Sequence, residues 1–258
     1  MARHIRSPLK VLRGLALAGA ASLALAACAL NPGLPRGSDP QAAPSRSEAQ
    51  ASLSELTARY RSRPRDKAVI LQYATALRVA GQTGQAASVL ELGMGLYKRD
   101  PEISIAYAKA LAAEGRFDQA LSVIDASLVP QAPDWNALLV KGAILDQMGR
   151  NGEAPQVYGQ ALAIAPGEAS LYANLGLSYA MTNELDTAER HLRRAAGTRG
   201  ASSQVRQNLA LVVGLQGRFE EARGLFAAEL PPDQVEANMA YIRALLTQQN
   251  RWDLLQGE

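Results

Sequence analysis

Few residues in this 258-residue chain are equipped for chemistry. Cys28 is its one cysteine, and beyond the first 27 residues His191 is its one histidine. A zinc site draws its three or four ligands largely from Cys and His, so a Cys/His zinc cluster is excluded. A Ser-His-Asp type of triad would have to be built on His191 alone, which disfavours that chemistry. His191 stands among Arg190, Arg193 and Arg194 and reads as a surface residue on a basic helix. Arg59, Arg61, Arg63 and Arg65 alternate in sequence and read as a solvated charged edge. Neither group makes a site, so the expectation is a protein that is not an enzyme and uses no metal or cofactor. Cys28 remains, to be read either as a buried or free thiol or as a residue with a covalent role.

Its surroundings say what that role is. Residues 1–27 open with the basic stretch MARHIRSPLKVLR and continue in an Ala- and Gly-rich apolar run from Gly14 to Ala27. About fourteen apolar residues are too few for a permanent membrane span and fit a cleaved secretory signal. The run closes on Leu25-Ala26-Ala27-Cys28, which resembles the lipobox of bacterial lipoproteins. That resemblance implies a diacylglyceryl group on the Cys28 thiol, cleavage before Cys28, and a triacylated N-terminus that anchors stably. In lipoproteins of enteric bacteria an Asp after the cysteine retains the protein in the inner membrane. Ala29 stands here instead, so the expected location is the outer membrane, lipid-anchored and facing the periplasm.

The leader also explains the basic charge. It carries Arg3, Arg6, Lys10 and Arg13 and no acid, and removing these four leaves 23 basic against 24 acidic residues. A nucleic-acid partner thereby loses its main support. Residues 28–50 contain four prolines and few large apolar side chains, and read as a lipidated cysteine followed by a flexible tether. Such a chain spans roughly 25 Å end to end.

A repeat then governs the sequence. Ala86, Ala120, Ala154, Ala188 and Ala222 are spaced by 34 residues. Five positions before each comes a turn residue: Gly81, Gly115, Gly149, Asn183 and Gly217. Twelve before each comes a small residue: Ala74, Ala108, Gly142, Gly176 and Ala210. Four after each comes a bulky one: Leu90, Ile124, Tyr158, Leu192 and Phe226. Period and pattern predict an all-α tetratricopeptide-repeat (TPR) solenoid, a right-handed superhelix of about five helix pairs. The expected layout is an N-terminal capping helix over 51–66, five repeats over 67–232, and a C-terminal capping helix and tail over 233–258. Within that tail, Trp252 and Leu255 are expected to fold back as a closing cap. Pro155 falls in the first turn of its helix, where a missing N–H is tolerated.

TPR arrays hold partners on the inner face of the first helix of each pair. Carried over residue by residue, that pattern implies groove positions at Leu71, Thr75, Arg78, Ile105, Lys109, Leu139, Ala143 and Asp146. In the later repeats it implies Ala173, Asn174, Leu177, Gln207, Asn208 and Leu211. Asn174 and Asn208 share one repeat position. Their amides could bond an extended peptide's main chain, or be solvated, or bond across the repeat interface. The paired Lys/Arg and Asn of carboxylate-clamp chaperone TPRs are absent from adjacent repeats, and the groove's apolar fraction suggests an amphipathic or extended partner.

The C-terminal half carries a more specific resemblance. Residues 205–219 (VRQNLALVVGLQGRF), Glu229-Leu-Pro-Pro232 and Ala237-Asn-Met-Ala-Tyr-Ile-Arg243 resemble the TadD proteins, TPR lipoproteins of tight-adherence (Tad, or Flp) pilus systems. Gly142 to Gly149 and Asn174 to Ala180 agree, as does the order of leader, tether and array. The resemblance implies a pilotin-like assembly factor that helps the pilus secretin localise or multimerise by protein–protein binding. It implies partners among the secretin and other Tad proteins, and no small-molecule substrate. A TPR scaffold for peptidoglycan hydrolases or other envelope complexes is the alternative.

Overall fold

A computed structural model describes residues 46–256, with side chains from 52 to 248. Cys28 and the rest of the leader and tether lie outside the described residues. Twelve helices fill the described chain: α1 (Arg46–Ser62), α2 (Lys67–Val79), α3 (Thr83–Leu96), α4 (Pro101–Ala113), α5 (Phe117–Ser127), α6 (Trp135–Gln147), α7 (Ala154–Ile164), α8 (Ala169–Met181), α9 (Leu185–Ala196), α10 (Ser203–Leu215), α11 (Phe219–Ala227) and α12 (Pro232–Gln256).

Each pair is built the same way. The turn residues all take left-handed backbone, with φ of 76°, 77°, 74°, 62° and 83° at Gly81, Gly115, Gly149, Asn183 and Gly217. Around each, two hydrogen bonds close the end of the first helix. At Gly81 its own N–H bonds the Arg78 carbonyl, and the Gln82 N–H reaches back to Leu77. Asn183 makes the same pair of bonds, to Ala180 and, through Glu184, to Tyr179. This Schellman closure satisfies carbonyls that a helix end leaves without partners and turns the chain straight into the second helix. A second 34-residue series was not read from the sequence: Asp66, Asp100, Asp134, Glu168 and Ser202 are the N-cap residues of the first helices. The three aspartates and Ser202 accept backbone N–H groups of the first turn, whereas Glu168 makes no side-chain cap bond.

The small and large residues of the repeat meet between the helices of each pair. Leu90, Ile124, Tyr158, Leu192 and Phe226 are all buried. A Cβ added to Gly142 would lie 2.5 Å from the Tyr158 ring, and one added to Gly176 would lie 2.8 Å from Leu192. First helices touch one another from pair to pair, while second helices make no comparable contact with each other. That asymmetry places α2, α4, α6, α8 and α10 on the inside of the curve.

The ends differ from expectation in two respects. Helix α1 begins at Arg46 and not at Ala51, so the tether stops short of residue 50. Its Leu53, Leu56 and Tyr60 pack on the first core cluster, with the Tyr60 ring stacked on Tyr73 at 4.9 Å. At the other end the chain does not fold back after residue 248: α12 is one continuous helix of 25 residues. No proline or glycine interrupts it between Asp233 and Gln256, so nothing in the sequence stops the helix. Its Val235, Met239 and Ile242 are buried against α10 and α11, and Ile242 occupies the space that a Cβ on Gly214 would need.

Two alanine substitutions should therefore move stability in opposite directions. Gly142→Ala is expected to lower it by about 1–3 kcal/mol through overpacking against Tyr158, outweighing the helix-propensity gain. Gly159→Ala, in α7 with open space around the new methyl, is expected to raise it by up to about 1 kcal/mol. Urea unfolding of the two variants beside the parent checks both signs.

Candidate functional site

The first helices of three successive pairs line an open cavity of about 450 Å³ on the inner face. Leu71, Ala74, Thr75 and Arg78 come from α2, and Ile105, Ala106, Lys109 and Ala110 from α4. Leu90 rises from α3, and Asp134, Trp135 and Asn136 close the far side at the start of α6. Helical spacing explains the set, since residues three and four apart lie on one face. Of the positions expected from the TPR pattern, Leu71, Thr75, Arg78, Ile105 and Lys109 share this cavity. Trp135 and Asn136 were not foreseen as lining, because each begins a helix and faces the groove from the next repeat.

Charge within the cavity is divided. Glu102 also lines it, and Lys67 bridges Glu102 at 2.5 Å and Asp100 at 2.6 Å. Asp134 is occupied as the α6 cap, accepting from the Asn136 and Ala137 N–H groups at 2.7 and 3.1 Å. Arg78 and Lys109 are half-buried, and their side chains make no hydrogen bond or ion pair among the described residues. Burial lowers the Lys109 ammonium from its ordinary range to about 8, and the neighbouring Arg78 charge adds to the effect. Arg78 is likewise lowered by burial.

The other expected groove residues are placed differently. Asp146 is 7% exposed and turned into the repeat interface. Its carboxylate accepts from the Tyr158 hydroxyl at 2.9 Å and from the Ser178 hydroxyl of the next repeat at 2.7 Å. Burial raises its pKa to about 6 against the opposing pull of those two hydrogen bonds. Asn174 and Asn208 are buried and so are not solvated. The Asn174 amide donates to the Ser170 carbonyl of its own helix, and Asn208 accepts from Gln204. Leu177 is buried, while Gln207 and Leu211 are half-buried further along the array and do not line the cavity.

His191 also departs from expectation. It is half-buried and its ring lies near-parallel to Tyr179 at 5.6 Å and to Tyr172 at 6.3 Å, with the Arg194 guanidinium 4.5 Å from the centre of the Tyr172 ring. Burial, then Arg190 and Arg194, hold its imidazole below the ordinary histidine range. The basic neighbours were visible in sequence; the tyrosines on α8 were not, because pairing them with His191 requires the helices to be docked. No group of three or more His, Cys, Asp or Glu placed to hold a metal occurs among the described residues. No described helix is long and apolar enough to cross a membrane.

Comparison with known proteins agrees with the fold. The tetratricopeptide repeat family matches residues 101–126 and 169–194. A search of curated proteins finds no match. A thermophilic TPR protein of Thermus thermophilus superposes with a TM-score of 0.60 at 23% identity, over 68% of this chain and 97% of that one. A TPR protein of Parabacteroides merdae gives 0.58 at 15% identity, over 80% and 83%. The Cut9–Hcn1 hetero-tetramer of the APC/C gives 0.63 at 16% identity, covering 77% of this chain and 39% of that one. The chain carries TPR repeats and folds as an all-α TPR solenoid.

The buried Asp146 makes a testable link between pH and stability. With a folded pKa of about 6, against about 3.9 for an unfolded Asp, the native chain holds the extra proton between those values. This group therefore favours folding as pH falls from about 6 towards 4, and costs on the order of 2–3 kcal/mol above pH 6. His191, held below its ordinary range, responds to acid with the opposite sign, so the comparison must be made between variants. Asp146→Asn is expected to melt higher than the parent at pH 7.5, with the difference shrinking as pH falls and vanishing below about pH 3.5, under the unfolded pKa. Asp146→Ala is expected to melt lower at both, since it strands two buried hydroxyls.

Proposed function

We propose that this TPR solenoid is a lipid-anchored adaptor at the bacterial outer membrane, holding a segment of a partner protein in its inner groove. We further propose that the partner belongs to the assembly machinery of a Tad pilus, with the solenoid acting on the secretin as a pilotin does. The observation that carries the binding reading is the cavity across α2, α4 and α6. It has an apolar floor of Leu71, Ala74, Leu90 and Ile105 with polar groups at its rim, the composition expected of a ligand site. Its volume lies in the range of such sites. Support for the anchor comes from the lipobox-like Leu25-Ala26-Ala27-Cys28, and support for the pilus role from the TadD-like stretches between residues 205 and 243.

The reading predicts a specific failure of assembly. In a strain lacking this gene, the detergent-resistant secretin multimer is expected to be lost from the outer-membrane fraction or stranded in the inner membrane. A normal outer-membrane multimer would refute the pilotin role and favour a scaffold for other envelope complexes. Cys28→Ser is expected to remain uncleaved and fractionate with the inner membrane, and normal outer-membrane fractionation of that variant would sink the anchor.

A further inference from the structure

We propose that Arg78 and Lys109 form a receptor for one carboxylate side chain carried in an extended segment of the partner. This rests on the reading of the cavity as the binding groove and names the chemistry of what it binds.

The two cations are exceptional among the half-buried basic side chains of the described residues, since the others without an acidic partner, such as Arg59, Arg99 and Arg199, are exposed. Lys67 engages Asp100 and Glu102, Lys141 engages Asp125 at 2.8 Å, and Arg218 engages Glu189 at 2.8 Å. Arg206 pairs with Glu229 and Arg150 with Glu153. Acids are therefore paired freely along the array, yet the two cations in the cavity have none. Both acids that share the cavity are already occupied, Glu102 by Lys67 and Asp134 by the backbone of α6. Placing two like charges together with partial loss of water is unfavourable unless an opposite charge joins them. The lowered Lys109 pKa has that burial as its first cause and Arg78 as its second.

The geometry suits a carboxylate. Arg78 lies in the last turn of α2 and Lys109 in the adjacent first helix, so the pair converges from two repeats. A guanidinium presents two parallel donors to one carboxylate, and an ammonium adds a third from a flexible stem. Around them lie Leu71, Ile105, Ala106 and Trp135. The matching segment therefore carries one Asp or Glu between apolar residues.

The source of the carboxylate also follows. Capture of a chain terminus commonly uses a nest of free backbone N–H groups. At the start of α6, beside this cavity, Asp134 takes the Asn136 and Ala137 N–H groups, so no such nest is free there. The charged donors in the cavity are the Arg78 and Lys109 side chains, which favours an acidic side chain within a continuing segment over a chain end.

The test is selection from randomised heptapeptides displayed as internal fusions, which offer no free C-terminus, using the whole mature protein. Enrichment of Asp or Glu at one position, flanked by apolar residues, is expected. The selected peptide, made with an amidated end, is expected to bind Arg78→Gln and Lys109→Met about tenfold or more weakly, the loss typical of one charged hydrogen bond. Replacing its acid by the amide is expected to weaken binding to the same degree. Lys109→Met is also expected to raise the melting temperature while binding is lost, because it removes a desolvated, unpaired charge; a structural lysine would do the reverse. Lower melting temperatures in both variants would overturn the proposal. Selection of neutral apolar peptides would overturn the carboxylate receptor and leave the groove standing, whereas selection of none would remove the groove as well. Binding that appears only when the peptide has a free C-terminus would overturn the side-chain assignment.

Discussion

The close approach of the two helices in each pair is the constraint on which the rest of this structure depends. A small residue on the first helix faces a large one on the second, and the left-handed turn residue brings them together. Neither would suffice alone. Without positive φ at Gly81, Gly115, Gly149, Asn183 and Gly217 the second helix would leave at the wrong angle. Without Gly142 or Gly176 the Tyr158 ring and Leu192 would have no room. Because every pair is closed in the same way, the first helices stack on one another and the second helices splay. A groove on the inner face follows from that geometry before any residue is chosen to line it.

The middle of the array shows what a departure from the apolar pattern does. Tyr158 occupies a position that the other repeats give to Leu, Ile and Phe, and its hydroxyl needs a partner once buried. Asp146 supplies it and reaches on to Ser178, so one carboxylate joins both helices of the third pair to the first helix of the fourth. Breaking any member leaves buried polar groups unpaired, which fixes the register of the two repeats more strictly than apolar packing would. The acid stays there at the cost of a raised pKa, so the link between these repeats responds to pH near 6.

Period, turn residues and the small and large faces were all legible in the sequence, because a TPR pair is set by contacts within 34 residues. Even Pro155 was placed in the first turn of its helix. What escaped depended on distance or on the ends. The continuous α12 was hidden because the last ten residues after Gln248 suggest a tail unless the absence of helix breakers is given its due. Asn174 and Asn208 share a repeat position, but whether an amide meets solvent or the carbonyl one turn back is settled by how tightly neighbouring repeats pack. His191 needed α8 docked on α9 before its tyrosine partners existed. Among groove positions, spacing alone marked Arg78 and Asp146 as equivalents, while their surroundings are opposite.

That equivalence shows how a repeat can be put to separate uses. Arg78, Ala112 and Asp146 occupy the same place in three successive repeats. Asp146 finds hydroxyls on both sides and becomes an internal tie. Ala112 is simply buried. Arg78 shares its cavity with Ala110, which offers no side-chain acceptor, and with Lys109, which repels it, so its charge has no partner within the described residues. The position of Lys109 is filled by Thr75, Ala143, Leu177 and Leu211 in the other repeats, so the cationic part of the inner face is confined to its first two pairs. A segment lying along the groove would therefore meet charge near the N-terminal end and leucine near the other. Since that charged end adjoins α1, and the tether and Cys28 precede α1 in the chain, an acidic partner segment would bind at the end of the array closest to the proposed anchor.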